Sequence, residues 1–119
     1  MTLSVLVVDD DPKFRGLARR LLTAVGLTVV GEADSVSAAL AAAAKVEPAA
    51  VLLDVELPDG NGISLAHQLA ALPWQPRVVL TSVDPDAATE ADVVRSGASA
   101  FVHKTDLAKA PLAQLLGAE

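Results

Sequence analysis

The chain of 119 residues has no cysteine and no tyrosine, one tryptophan and two phenylalanines. Without cysteine there is no disulfide framework and no thiolate metal site, which suits a reducing compartment. Aromatic residues make up only 3%, and 9 Lys plus Arg face 15 Asp plus Glu, a net charge of −6. A domain this acidic and this poor in stacking groups is not expected to bind nucleic acid directly. The longest apolar runs are strand-sized or interrupted by charge, so no transmembrane span and no membrane partner are expected. Met1 leads almost directly into a strand, which leaves no place for an uncleaved signal peptide and makes a cytoplasmic domain the expectation. Neither GxGxxG nor GxxxxGK[ST] occurs, so dinucleotide and NTP sites are unsupported.

Apolar residues are abundant, at 52%, enough to fill the core of one compact domain spanning residues 1–119. Leu3 to Val8 reads as a strand buried on both faces and runs straight into Asp9, Asp10 and Asp11. Asp11-Pro12 is a helix start, with the carboxylate at the N-cap and proline at the first helical position. An amphipathic helix follows from Lys13 to Val25, stopped by Gly26. Further strands are expected at Leu27 to Ala33, Ala49 to Asp54, Arg77 to Ser82 and Ala100 to His103. Helices are expected from Ser35 to Lys45, Ile63 to Leu72 and Pro85 to about Ser96. Pro111 delays the last helix to near Ala110, leaving it barely two turns. Strands alternating with helices five times imply an α/β, doubly wound parallel sheet with helices on both faces and strand order 2-1-3-4-5. In that order the first and third strands flank the crevice where ligands bind, and Asp9, Asp10 and Asp54 end those strands.

Adjacent carboxylates at a strand tip repel each other by roughly 1 kcal/mol even in water, so a cation belongs among them. Oxygen ligands with no nearby histidine or cysteine favour a hard ion, Mg²⁺ or Mn²⁺. The same rim gains a hydroxyl from Thr81, with Ser82 beside it, and an ammonium from Lys104. A metal, a carboxylate nucleophile, a hydroxyl donor and a fixed cation are what phosphoryl transfer uses.

VVDD (Val7 to Asp10), LLDVELPDGNG (Leu52 to Gly62), LTS (Leu80 to Ser82) and FVHK (Phe101 to Lys104) fall in order at the ends of these strands. With these motifs the chain resembles, over essentially its whole length, a receiver domain of the two-component response regulators. The resemblance implies that Asp54 is the phosphoacceptor, charged by a histidine kinase or phosphotransfer protein. It further implies that Asp10 binds Mg²⁺ directly, that Asp9 assists through water or hydrogen bonding, and that the backbone carbonyl of Glu56 completes the metal ligands. By the same resemblance Thr81 and Lys104 are expected to contact the phosphoryl oxygens, and Phe101 to be the aromatic switch that turns inward with Thr81. Such a domain acts on itself and not as an enzyme on an external substrate, hands its signal to an output domain or effector, and in some cases pairs with itself when phosphorylated. The stretch Lys104 to Leu116 resembles receivers that precede helix-turn-helix output domains, implying the N-terminal part of a longer transcriptional regulator.

Two departures from the family pattern stand out. Thr105 follows Lys104 where many receivers have a proline after a cis bond; a cis Lys104-Thr105 bond is the reading favoured here, despite a cost of about 2.5 to 4 kcal/mol. Glu56, two residues after Asp54, puts a negative charge at the mouth of the site, where it should repel small anionic phosphodonors. His67 and His103 read as surface or packing residues, since neither has a partner histidine at ligand spacing. Arg15, Arg19 and Arg20 read as a solvated helix face. Two rival readings remain: an interaction module of the same fold without phosphorylation, and a metal-dependent phosphohydrolase with an aspartyl nucleophile.

Overall fold

In the computed structural model, which describes residues 2–118, five parallel strands form one sheet: β1 (Ser4–Val8), β2 (Thr28–Ala33), β3 (Ala50–Asp54), β4 (Arg77–Ser82) and β5 (Ala100–His103). Their order is β2-β1-β3-β4-β5, the order expected from the sequence. The helices are α1 (Pro12–Ala24), α2 (Val36–Val46), α3 (Gly62–Ala70), α4 (Glu90–Ser96) and α5 (Leu112–Leu115). None of the described helices is long and apolar enough to cross a membrane.

Period-2 alternation divides each strand between two cores. Val5, Val7, Ala50, Leu52, Val79 and Val102 face α1 and α5, meeting Phe14, Ala18, Leu22, Leu112 and Leu116. Leu6, Val8, Val51, Leu53, Val78 and Leu80 face α2 and α3, meeting Ala39, Ala43, Leu65, Ala66 and Leu69. Carried one step further, the alternation sends Asp9, Asp54 and Thr81 toward the α1 and α5 side and Ser82 toward the other. The last apolar positions of the strands thus decide which polar residues share a pocket.

Local chemistry sets the boundaries. Asp11 caps α1, its carboxylate accepting from Lys13 N at 2.9 Å, and Gly26 takes φ 88° just past the helix. Ser35 caps α2 through Ala38 N. Gly31 lies where the β1–β2 register slips by one residue, and a Cβ there would approach Leu6 Cδ1 at 3.3 Å. Trp74, in the connector before β4, donates from Nε1 to Pro48 O at 2.9 Å, at the amino end of β3 and away from the acidic tips.

Three expectations need correction. Asp84-Pro85 makes a turn, in which Asp84 accepts from Asp86 N and Ala87 N, and no helix begins there. The helix starts at Glu90 because Thr89 and Asp92 form a reciprocal capping box, a stronger nucleus than the proline upstream. No peptide bond among the described residues is cis, so Lys104-Thr105 is trans; a 3₁₀ turn over Lys104–Asp106 aims the lysine without it. Glu56–Leu57 and Gly60–Asn61 pair as a two-residue antiparallel ladder. The last helix is a single turn after Pro111, shorter still than its sequence suggested.

Gly62 closes the loop after β3: its N–H donates to Val55 O at 2.6 Å, and a Cβ would lie 2.2 Å from Asp54 O and 2.7 Å from Val55 Cα. Those are backbone atoms and cannot step aside as a side chain would. Gly62→Ala is expected to lower unfolding free energy by about 3 kcal/mol, near the upper end for overpacking, measured by urea titration.

Candidate functional site

The strand tips meet at the carboxyl end of the sheet. One carboxylate oxygen from each of Asp9, Asp10 and Asp54 can be chosen so that all lie within 4.8 Å of one another. Asp9 is wholly buried and Asp54 is 5% exposed, whereas Asp10 is open to solvent. Asp9 Oδ1 accepts from Asp11 N at 2.9 Å. Asp9 Oδ2 has no hydrogen-bond partner of good geometry; what faces it is the Lys104 ammonium, an ion pair at 2.7 Å. The same ammonium stands 3.6 Å from Asp54 Oδ2 and 4.2 Å from the centre of the Phe14 ring. Asp54 Oδ1 accepts from Glu56 N at 3.3 Å.

One lysine therefore serves two buried carboxylates, and the electrostatics follow. Burial, reinforced by the charge of Asp9, pushes the Asp54 carboxyl up to about 6, although Lys104 and the Glu56 amide pull the other way. At neutral pH Asp54 is still predominantly an anion, the form a nucleophile needs. For Lys104 burial opposes the charge, but Asp9 and Asp54 together outweigh it and hold the ammonium above the ordinary lysine value.

This donor set fits a hard divalent ion. It is made of carboxylate oxygens, one of them buried and without a good hydrogen bond, and its charge is incompletely balanced by one lysine. The pocket formed by Asp9, Asp10 and Asp54 could thus hold a metal. Glu56 lies at its edge with an exposed side chain whose carboxylate accepts from Ser82 Oγ.

Thr81 lies in register with Asp54 across β3 and β4, on the side expected, but its hydroxyl is fully buried and donates to Val102 O at 2.8 Å. Phe101 is half-buried on the opposite face of β5, where with Ala88, Val93 and Val94 it lines an open groove of about 420 Å³. The expected residues are thus gathered at the tips, except that Thr81 and Phe101 point elsewhere.

Sequence reasoning missed the braces around the pocket. Arg15 is not simply solvated: its Nη1 donates to Asp9 O at 2.8 Å while its Nε bonds Glu32 on β2, which also takes Arg19 at 2.7 Å. The hydrogen bond from Arg19, together with Arg15, holds the Glu32 carboxyl below its usual range. Phe14 beneath the lysine was legible only as a core residue. His67 is exposed, as expected, whereas both ring nitrogens of His103 are engaged.

Because folding raises the Asp54 pKa, the folded chain binds its proton more tightly than the unfolded one, so this group destabilises the fold as pH rises from about 4 to 6 and beyond. At about 1.4 kcal/mol per unit the cost above that window is at most about 3 kcal/mol. Asp54→Asn is expected to melt higher than the wild type at pH 8 in EDTA, and the gap to close as the pH approaches 4. A gap independent of pH in calorimetry contradicts this electrostatic account.

Residues 5–115 match the response regulator receiver domain family. The chain is 41% identical over 104 residues to the DNA-binding transcriptional activator DevR/DosR of Mycobacterium tuberculosis, covering 86% of this chain and 48% of that protein. It is 33% identical over 106 residues to a protein-glutamate methylesterase/protein-glutamine glutaminase of Alkalilimnicola ehrlichii, covering 87% of this chain and 27% of that protein. The chain thus spans about half or less of the length of these curated relatives. Among solved structures, the signal receiver domain of the response regulator NarL from M. tuberculosis superposes with a TM-score of 0.80 at 32% identity, covering 98% of both chains. A match of this extent, on a sheet whose tips carry Asp9, Asp10, Asp54 and Lys104 together, makes the chain a member of the two-component response-regulator receiver family.

Proposed function

We propose that this domain accepts a phosphoryl group on Asp54 from the phosphohistidine of a histidine kinase or phosphotransfer protein, and that the modification switches its surface for an output domain or effector. The observation that carries the reading is the single ammonium of Lys104, 2.7 Å from Asp9 and 3.6 Å from Asp54 at the mouth of a three-carboxylate pocket. A carboxylate oxygen of Asp54 attacks phosphorus, the phosphorus–nitrogen bond to the donor imidazole breaks, and that nitrogen keeps the electron pair and takes a proton. Asp9, Asp10, Asp54 and the Glu56 carbonyl would hold Mg²⁺ or Mn²⁺, which neutralises charge on the transferred group. Lys104, relieved of part of its duty to Asp54, turns its charge to the phosphoryl oxygens. Phe14 limits its travel from below.

The new group adds roughly −1.5 to −2 charges and three acceptor oxygens. Thr81 would leave Val102 O for one of those oxygens, and Phe101 would turn inward as the end of the strand is drawn to the phosphate. Near-complete switching takes roughly 5.5 kcal/mol of differential stabilisation, within reach of several charge-assisted hydrogen bonds. The face that changes is α4, β5 and α5, which would serve an output domain or a second phosphorylated copy. DevR/DosR is a DNA-binding transcriptional activator, which supports a place for this domain as the N-terminal part of a transcriptional regulator, with DNA contacted by another domain.

Incubated with Mg²⁺ and acetyl phosphate, the wild type is expected to gain one acid-stable, base-labile phosphate and Asp54→Asn none; a wild type that gains none refutes the reading. Self-association is followed in the same samples by light scattering. Glu56→Ala should speed labelling by acetyl phosphate about fivefold, the effect of removing about 1 kcal/mol of repulsion from an anionic donor. That gain should shrink at high salt, where the charge is screened. Equal rates for Glu56→Ala and wild type, or a gain insensitive to salt, tell against repulsion.

A further inference from the structure

β4 and β5 place Ser82 directly opposite His103, on the face of the sheet turned away from Asp9 and Asp54. His103 sits between Val102, whose carbonyl holds the Thr81 hydroxyl, and Lys104, whose ammonium holds Asp9. Its ring is bonded at both nitrogens. Nε2 lies 2.6 Å from Val83 O, in the loop just past Thr81, and Nδ1 lies 2.5 Å from Thr105 Oγ1, just past Lys104. A carbonyl can only accept, so Nε2 carries a proton and donates to Val83 O, while Nδ1 shares a hydrogen bond with the threonine hydroxyl, which can serve as donor or acceptor. One imidazole thus spans the segment that carries Thr81 and the turn that carries Lys104.

Three successive residues of β4 and its loop are held by side-chain bonds. Thr81 donates to Val102 O, Ser82 donates to Glu56, and Val83 accepts from His103. Under the phosphorylation reading Thr81 has to leave Val102 and move toward Asp54, and the segment cannot travel far while its next two residues stay tied. The Thr81 and Glu56 ties involve residues at the site itself. The His103 tie does not: its ring is on the far face, and neither nitrogen has a carboxylate or the ammonium as partner.

We infer that His103 is a positioning residue which restrains the Thr81–Val83 segment in its resting place, and that its bond to Val83 is one of the contacts broken when the domain is phosphorylated. The inference rests on the function proposed above. Loss of one such hydrogen bond shifts a two-state equilibrium by about two- to tenfold.

The test compares wild type, His103→Leu, His103→Gln and Thr105→Val as full chains, reading amide hydrogen exchange over residues 81–89 and labelling by acetyl phosphate at saturating Mg²⁺. His103→Leu, which keeps the bulk and loses the donor, is expected to exchange faster in this segment and to label about two- to tenfold faster at saturating donor. In a separate Mg²⁺ titration of the labelling rate the half-maximal concentration should stay at the wild-type value, and a shift would overturn a role confined to the Thr81–Val83 segment. His103→Gln, whose amide can still donate to Val83 O, should return toward wild type in both readouts, and Thr105→Val, which leaves the ring less well held, should fall between. Equal exchange in wild type and His103→Leu overturns the restraint. Faster exchange with an unchanged or slower labelling rate overturns its control of the switch. Failure of the wild type itself to label, with exchange still faster in His103→Leu, overturns the phosphorylation reading and this inference's functional half with it, while leaving the physical tie in place.

Discussion

A single ammonium compensates two buried carboxylates, and the architecture around it serves to keep that arrangement tolerable. Asp9 is removed from water and Asp54 nearly so; left without a cation, such groups would cost several kcal/mol each. Lys104 can reach both only because β1 and β3 are neighbours and because the turn after β5 carries its side chain back across Phe14. Arg15, anchored by Glu32, steadies the strand tip through the Asp9 carbonyl and adds positive charge without entering the pocket. The result is a site short of positive charge, in which Asp54 already resists ionisation. An environment of that kind favours any event that brings in a cation.

Much of this could be read before any coordinates. The alternation in SVLVVD and AVLLD fixes which face Asp9 and Asp54 occupy, since each continues the row of apolar residues packed against α1 and α5. The Asp11-Pro12 cap and the glycine stop at Gly26 rest on interactions within a few residues, so sequence alone exposes them. Where two local signals competed, reading failed: Asp84-Pro85 and Thr89 with Asp92 are both credible helix starts, and the reciprocal hydrogen bonds of the second prevail. The bond after Lys104 could not be read because its geometry depends on a 3₁₀ turn and on His103 reaching Thr105.

The contacts that escaped notice share one property: they join residues distant in sequence. Arg15 meets Glu32 17 positions away, Ser82 meets Glu56 26 away and His103 meets Val83 20 away. No periodicity records such pairs. The pocket residues, by contrast, each end a strand, and a parallel sheet delivers its strand ends to one rim whatever lies between them.

The ladder after β3 has a bearing on how the loop beside Asp54 can evolve. Asp59 at its tip accepts from Val36 N and Ser37 N, at 2.7 and 3.1 Å, while Gly60 lies tight against Val36. The first turn of α2 is therefore moored to the stretch that also carries Glu56. Lengthening or trimming residues 56–61 would unseat a helix on the flank of the sheet, so variation at this edge is confined to exchanging side chains and not to changing the number of residues.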